Sequence, residues 1–362
     1  MSISKRLIAA RKMAGYSISE LARVSNISKQ ALSLYEKDEM MPSSEYLIRL
    51  AHALNVDIDF LYNTENNVSE VKIAGKIHYR KEDQIVEGEL EKVKQYTLDR
   101  LESYFELEKL SDEKYPFKNP VDKLPIKSKN DAEKAAKQVR KKWKLGDMPL
   151  NNILSILESK NIRIVELETS ERFNGFAAWV GKIPVIVINT GFGEITRVRF
   201  TTLHELGHLI LDIDDNFKDE EIERLCDSFA SELLLPQELL VIEIGSKRSR
   251  ISMNELRTIK EKYGISIFAI MYKLFVKGVI SSTTFNLWKT QYNEYFENQE
   301  DVFGHYKEEE SAKRYNQLLI RCLMEGKVSI NKAASISGKS AQVLKRMLTF
   351  DSNFYTADEI SC

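Results

Sequence analysis

Two histidines four residues apart, His204 and His208, constrain this sequence more than any other feature. On a helix, that spacing projects both imidazoles from one face, where they can bind one metal ion. Glu205 follows the first histidine, which sets its carboxylate beside the metal's open position and within reach of a bound water. Phe200, Leu203, Leu206, Leu209, Ile210 and Leu211 make the rest of the helix apolar, so it is predicted to be buried. Gly207 is expected to keep the helix slim where metal and substrate approach. Only five histidines occur in the chain, so a chance match to this pattern is rare.

A catalytic zinc site needs a third protein ligand. The next predicted helix offers Glu220, Glu221 and Glu223. Glu223 is the choice here, because Asp227 lies one turn further on the same face and can accept the free N–H of a ligating histidine. The alternative is that these acids solvate a helix face. Cys226 could also ligate, but it faces another side of that helix. The expected centre holds one Zn2+ per chain on His204, His208 and Glu223, with Glu205 as general base and Asp227 behind a histidine. Tyr263, Arg197 and Tyr272 are candidate donors to an oxyanion, and the sequence does not choose among them.

The chain has 362 residues, which predicts more than one domain. Hydrophobic residues make up 43% and charged residues 30%, with a net charge of -1. That balance is soluble and globular, and it gives no global pull toward nucleic acid or membrane. Cys226, Cys322 and Cys362 are widely spread, the basic N-terminus lacks a signal-peptide core, and no apolar run approaches bilayer length. A cytoplasmic protein is expected.

Residues 1–62 show apolar residues at helical spacings, among them Leu7, Leu21, Val24, Ile27, Ala31, Leu34, Leu47, Leu50 and Leu54. Ser17 with Glu20 forms a capping-box pattern, and Ser28 starts the next helix. The second of these short helices is expected to bury Ala31, Leu34 and Tyr35 and to turn Lys29, Gln30 and Ser33 outward. That is the helix-turn-helix plan, with Ser28, Lys29 and Gln30 entering a DNA major groove. Arg6, Arg11 and Lys12 are candidate phosphate contacts. A small protein-interaction module would share the helix pattern. Eight Lys/Arg stand against seven Asp/Glu in residues 1–62, a weak electrostatic footprint.

Residues 63–129 read as a linker and long helix: a polar stretch at 63–69, a strand-like stretch at 71–79, and a helix over 85–111 that serves as a dimer seam or docks the two halves of the chain. Residues 130–245 mix helices at 131–143, 150–160, 195–212 and 217–234 with strands at 162–167, 176–180 and 185–188. The segment Phe176–Asn189 is either an ordinary core sheet or an edge for an extended peptide. Residues 246–362 form a helical C-terminal region, and no internal repeat is evident. The stretch Gly326-Lys327-Val328-Ser329 to Lys332-Ala333-Ala334 reads as helical packing or as a second helix-turn-helix-like unit, with packing preferred.

Residues 5–61 resemble the Cro/cI-type (XRE) helix-turn-helix family through Ser19-Glu20-Leu21-Ala22, Ser28-Lys29-Gln30, Tyr35-Glu36, Pro42 and the closing Leu47, Leu50, Ala51 and Leu54. Ile18 stands where that family usually places a phosphate-contacting glutamine. Residues 130–240 resemble the ImmA/IrrE family of zinc peptidases. Those motifs are Phe173-Asn174-Gly175-Phe176, Pro184-Val185-Ile186-Val187-Ile188-Asn189, Arg197 with Arg199-Phe200-Thr201, and Phe229-Ala230-Ser231-Glu232-Leu233-Leu234-Leu235-Pro236. The resemblance implies ligands His204, His208 and Glu223, the base Glu205, and a zincin-like α+β domain between two helical regions. It also implies a regulatory endopeptidase that cleaves a partner repressor of helix-turn-helix type, or a neighbouring toxin or antitoxin, in a stress response or mobile element. The rival expectation is a DNA-operator-binding regulator or antitoxin whose peptidase-like domain senses without cleaving.

Overall fold

The computed structural model describes residues 3–54, 56, 58, 61, 87–112, 116–121, 123–169, 173–191, 193–214, 216–296 and 304–352. They fall into two compact units, one of residues 3–61, 87–112 and 313–352, the other of residues 116–312. The linker expected at 63–69 and the strand expected at 71–79 lie outside the described residues.

In the first unit, α1 (Ile3–Ala14), α2 (Ile18–Ser25), α3 (Lys29–Glu36) and α4 (Ser44–Leu54) close over Leu7, Leu21, Leu32, Tyr35, Leu47 and Leu50. Ser17 opens α2 with a full capping box: its Oγ accepts the Glu20 N–H at 3.2 Å, and its own N–H donates to the Glu20 carboxylate at 2.7 Å. Ser28 opens α3 by accepting the Ala31 N–H at 3.1 Å. Each such cap stabilises by about 1 kcal/mol. The expected core differs at two positions, since Leu34 is 36% and Val24 42% exposed. Leu32 takes the inward place, because Leu32 and Tyr35 form the pair three residues apart on the buried side of this short helix. A long helix, α5 (Glu87–Ser111), packs on α1, with the buried Arg6 guanidinium 2.7 Å from Asp99.

The second unit is mixed α/β. Its elements are β1 (Pro125–Ile126), α6 (Lys129–Lys142), α7 (Ile153–Ser159), β2 (Arg163–Leu167), β3 (Gly175–Val180), β4 (Ile183–Asn189), α8 (Ile195–Ile210), β5 (Asp212–Ile213), α9 (Asp219–Leu234), α10 (Gln237–Ile244), α11 (Met253–Tyr263), α12 (Ile267–Val276) and α13 (Ser282–Phe296). The strand order is β2-β4-β3, with β2 parallel and β3 antiparallel to β4. β1 and β5 pair in parallel. β4 carries the run Val185-Ile186-Val187-Ile188, each at most 1% exposed, as a central strand covered on both faces should. β3 is an edge of this sheet and packs against α8.

One hydrophobic core runs from Val121 to Tyr292 and includes Leu256, Ile259, Ile270 and Leu274 of α11 and α12. The boundary expected at 245 therefore falls inside a continuous core. Arg199 on α8 is fully buried and anchors that helix: it donates to the carbonyls of Gly264 at 3.1 Å, Tyr263 at 3.2 Å and Leu150 at 2.5 Å, and pairs with Glu310.

The chain then returns to the first unit with α14 (Arg314–Met324), α15 (Ile330–Ser337) and α16 (Ala341–Ser352). Tyr315 and Leu319 pack with Tyr104 and Leu107 of α5 within this unit. Among the described residues, no helix is long and apolar enough to cross a membrane.

Candidate metal centre and nucleic-acid interface

α8 brings His204 and His208 onto one face, and α9 packs across that face to deliver Glu223. The Nε2 atoms of the two histidines stand 3.1 Å apart. The Glu223 carboxylate meets both, with Oε2 3.1 Å from His204 Nε2 and Oε1 3.2 Å from His208 Nε2. Donor atoms about 2.0–2.1 Å from a tetrahedral zinc ion stand about 3.3–3.4 Å from one another. The three side chains therefore come within a few tenths of an ångström of that spacing, each histidine meeting a different oxygen of Glu223, and nitrogen with carboxylate oxygen is a donor set that suits zinc.

Behind the triad, Asp227 Oδ1 lies 2.9 Å from His204 Nδ1. A carboxylate only accepts, so Nδ1 carries the hydrogen and Nε2 is left to face the triad. His204 is 4% exposed, and so is Glu205 beside it on the same helix. Burial works against a charged imidazole at His204, but Asp227 and Glu223 outweigh it, and its pKa is pushed up to about 10. Burial likewise tends to raise Glu223, and hydrogen bonds from the two imidazoles overcome this and hold it well below the usual carboxylate range. A metal entering here must therefore displace a proton from His204.

Cys226 does not join the ligands. Its Sγ sits 3.6 Å from His208 Nδ1, on the side of the ring away from Nε2. Burial, followed by the charges of Glu223, Glu205 and Asp227, raises the thiol well above its ordinary value, which keeps it protonated and a poor ligand. Cys226 also explains Gly207. A Cβ at 207 would lie 3.2 Å from both Cβ and Sγ of Cys226. Gly207 thus permits the close approach of α8 and α9, where slimness toward a substrate had been expected.

The far end of α9 is pinned by charges that the sequence did not flag. Glu232 is 1% exposed, pairs with the buried Lys273 of α12 at 2.7 Å, and accepts the Gln237 N–H at 3.1 Å. Lys273 also donates to the carbonyls of Ser231 and Leu235, closing the helix end at Pro236. Two of the candidate oxyanion donors are committed elsewhere in this arrangement: Tyr263 donates to Glu243 at 2.8 Å and Arg197 donates to Asn174 at 2.6 Å, while the Tyr272 ring packs on Phe285.

On the first unit, Lys29 and Gln30 are exposed at the first turn of α3, while Ser33 is half-buried and Ser28 is occupied as the cap. Arg6 and Arg11 depart from their expected place at phosphates. Arg6 is buried against Asp99, and Arg11 forks onto the Glu36 carboxylate at 2.5 and 2.9 Å and onto the Tyr16 carbonyl at 2.8 Å. Both therefore tie helices together inside the domain.

Comparison with known proteins matches the same two regions. A family described as helix-turn-helix matches residues 7–61. A peptidase family described as IrrE N-terminal-like domain matches residues 157–275. The HTH-type transcriptional regulator ImmR of Bacillus subtilis (strain 168) is 43% identical over 61 residues, which are 17% of this chain and 48% of that protein. The chain thus spans about half the length of that curated relative. The chain therefore combines an XRE-type helix-turn-helix domain at its N-terminus with a domain similar to the IrrE/ImmA-like peptidases.

Proposed function

We propose that this protein is a zinc-dependent regulatory endopeptidase that cleaves a partner transcriptional regulator, with its helix-turn-helix domain bringing it to DNA. The observation that carries this reading is the convergence of His204 Nε2, His208 Nε2 and the Glu223 carboxylate at 3.1–3.2 Å, with Asp227 behind His204. When bound there, zinc supplies Lewis-acid polarisation of a carbonyl and acidification of a water. Glu205 takes the proton of the attacking water on its carboxylate and hands it to the leaving amine nitrogen. Asp227 holds the His204 ring in its ligating orientation. β3, as a sheet edge beside α8, gives an extended substrate backbone hydrogen bonds. Lys29 and Gln30 contact base edges or phosphates from the first turn of α3.

The likeness of the N-terminal domain to a transcriptional regulator favours a second reading, an autoregulator or antitoxin whose peptidase-like domain senses without cleaving. Chelation separates the two. Co-expressed with the regulator encoded beside it, the protein should release fragments of that regulator. Purified protein should lose this cleavage on removal of zinc and regain it with about one zinc per chain. Intact partner under zinc-loaded conditions would favour the sensing reading.

A further inference from the structure

The N-terminal helix-turn-helix has a counterpart in the C-terminal helices. In the first, Ser17 caps α2, Asn26 ends it in the left-handed region at φ 55° and ψ 41°, and Ser28 caps α3. In the second, Ser329 caps α15, Gly338 ends it at φ 67° and ψ 12°, and Ser340 accepts the Val343 N–H at 3.3 Å at the start of α16. The spacing of Ser17, Asn26 and Ser28 is the spacing of Ser329, Gly338 and Ser340.

The correspondence extends to single hydrogen bonds. Ser25 Oγ donates to the Leu21 carbonyl at 2.6 Å, and Ser337 Oγ donates to the Ala333 carbonyl at 2.7 Å. Leu32 N–H donates to the Ser28 carbonyl at 3.1 Å, as Leu344 N–H does to the Ser340 carbonyl at 3.1 Å. Leu32 and Leu344 are both fully buried, and Gln342 stands exposed where Gln30 stands in α3. The sequence shows no plain repeat because few residues coincide, yet the caps, the left-handed turn and the core leucine recur. Packing alone explains the buried side of α15 but not this second matched helix start.

Charge separates the two helix pairs. From Lys313 to Leu348 the chain carries eight Lys/Arg and one acid, Glu325, against eight and seven in residues 1–62. Glu325 pairs with Lys327 at 2.7 Å, and Glu106 of α5 pairs with Lys332 at 3.0 Å. Lys339 lies on the turn, and Lys345 and Arg346 are exposed on α16, whose one acidic residue is Asp351 near its end. A basic excess of this kind fits a polyanion, and the helix-turn-helix geometry fits a duplex groove.

We propose that residues 329–348 form a second helix-turn-helix that docks on duplex DNA, with the first turn of α16 in the major groove and Lys345 and Arg346 on phosphates. The test uses the full-length protein and a labelled 30-base-pair duplex of mixed sequence, with affinity measured across a KCl series. Each phosphate contact contributes about 0.9 to the slope of log affinity against log salt. Lys345→Ala with Arg346→Ala should make that slope shallower by about 2 and weaken binding about tenfold or more near 0.1 M KCl. The same loss should appear when Lys29→Ala and Gln30→Ala are already present. Gln342→Glu, which adds one exposed carboxylate and removes no core contact, should also weaken binding severalfold. Wild-type slope and affinity in both the Lys345/Arg346 and Gln342 variants would overturn the proposal and assign this surface to another occupant.

Discussion

The helix pair α8–α9 and the helix pair α2–α3 solve opposite problems. In the first, the candidate functional groups are charged and largely withdrawn from water, and each is held by another charge or by a helix contact: Asp227 on His204, Glu223 between two imidazoles, Arg199 on Glu310. In the second, caps and a leucine core build the helices, and Lys29 and Gln30 stand in solvent, contributing nothing to that core. A buried polar site couples its chemistry to the stability of the fold, because any partner removed leaves an unpaired buried group. An exposed reading helix leaves fold and function separable.

The largest expected effect lies on the metal helix. Arg199→Met leaves Glu310 buried without its cation and removes donors from the Gly264, Tyr263 and Leu150 carbonyls. It should destabilise the peptidase unit by about 3–5 kcal/mol, read as a large drop in Tm. A shift within about 0.5 kcal/mol would break the contrast. Asp227→Ala should weaken zinc binding by about ten- to a hundredfold in a competitive chelator titration, with the fold retained. Equal affinity in the variant would show that Asp227 does not orient His204.

A pH series sharpens the same point. In the metal-free protein the pKa of His204 is raised to about 10 from the ordinary 6.5, so its charged form stabilises the fold fully below 6.5, and this contribution is lost as pH rises through 10. Zinc competes for the same nitrogen. Its affinity should therefore rise about tenfold per pH unit from neutrality toward 10 for one displaced proton, as isothermal titration would read it. A flat profile would mean that no proton is displaced. The smallest effect on the fold belongs to the other pair. Lys29→Ala with Gln30→Ala should leave Tm unchanged within about 0.5 kcal/mol while costing about 1–3 kcal/mol of DNA affinity. Destabilisation beyond that range would show the reading face to be part of the core.

What could be read from the sequence follows the range of the interactions involved. His204, Glu205 and His208 were legible because one helical turn fixes their geometry, and Glu223 with Asp227 because helix periodicity fixes theirs. The caps Ser17 and Ser28 were legible for the same reason. Glu310 on Arg199 and Lys273 on Glu232 were not, since buried pairs between residues far apart in the chain leave no local pattern. The role of Gly207 is hidden in the sequence because its neighbour Cys226 comes from another helix. Arg11 reads as a phosphate contact in the sequence, whereas in the fold Glu36 lies against it. Leu34 reads as inward in the sequence because an eight-residue helix shows barely two turns of periodicity, too few to fix the inward face. The cap spacing shared by Ser17, Asn26 and Ser28 with Ser329, Gly338 and Ser340 is present in the sequence, but apolar periodicity alone does not register it.

Glu205 is proposed to act on a peptide bond at a site built by His204, His208 and Glu223. The most direct measurement compares wild-type protein with Glu205→Gln, each co-expressed with the partner regulator, by mass spectrometry of partner fragments and by zinc content. About one zinc per chain is expected in both proteins and fragments only with wild type, a loss of about 100- to 10,000-fold in cleavage. Equal cleavage by both proteins, or intact partner beside zinc-loaded wild type, would contradict it.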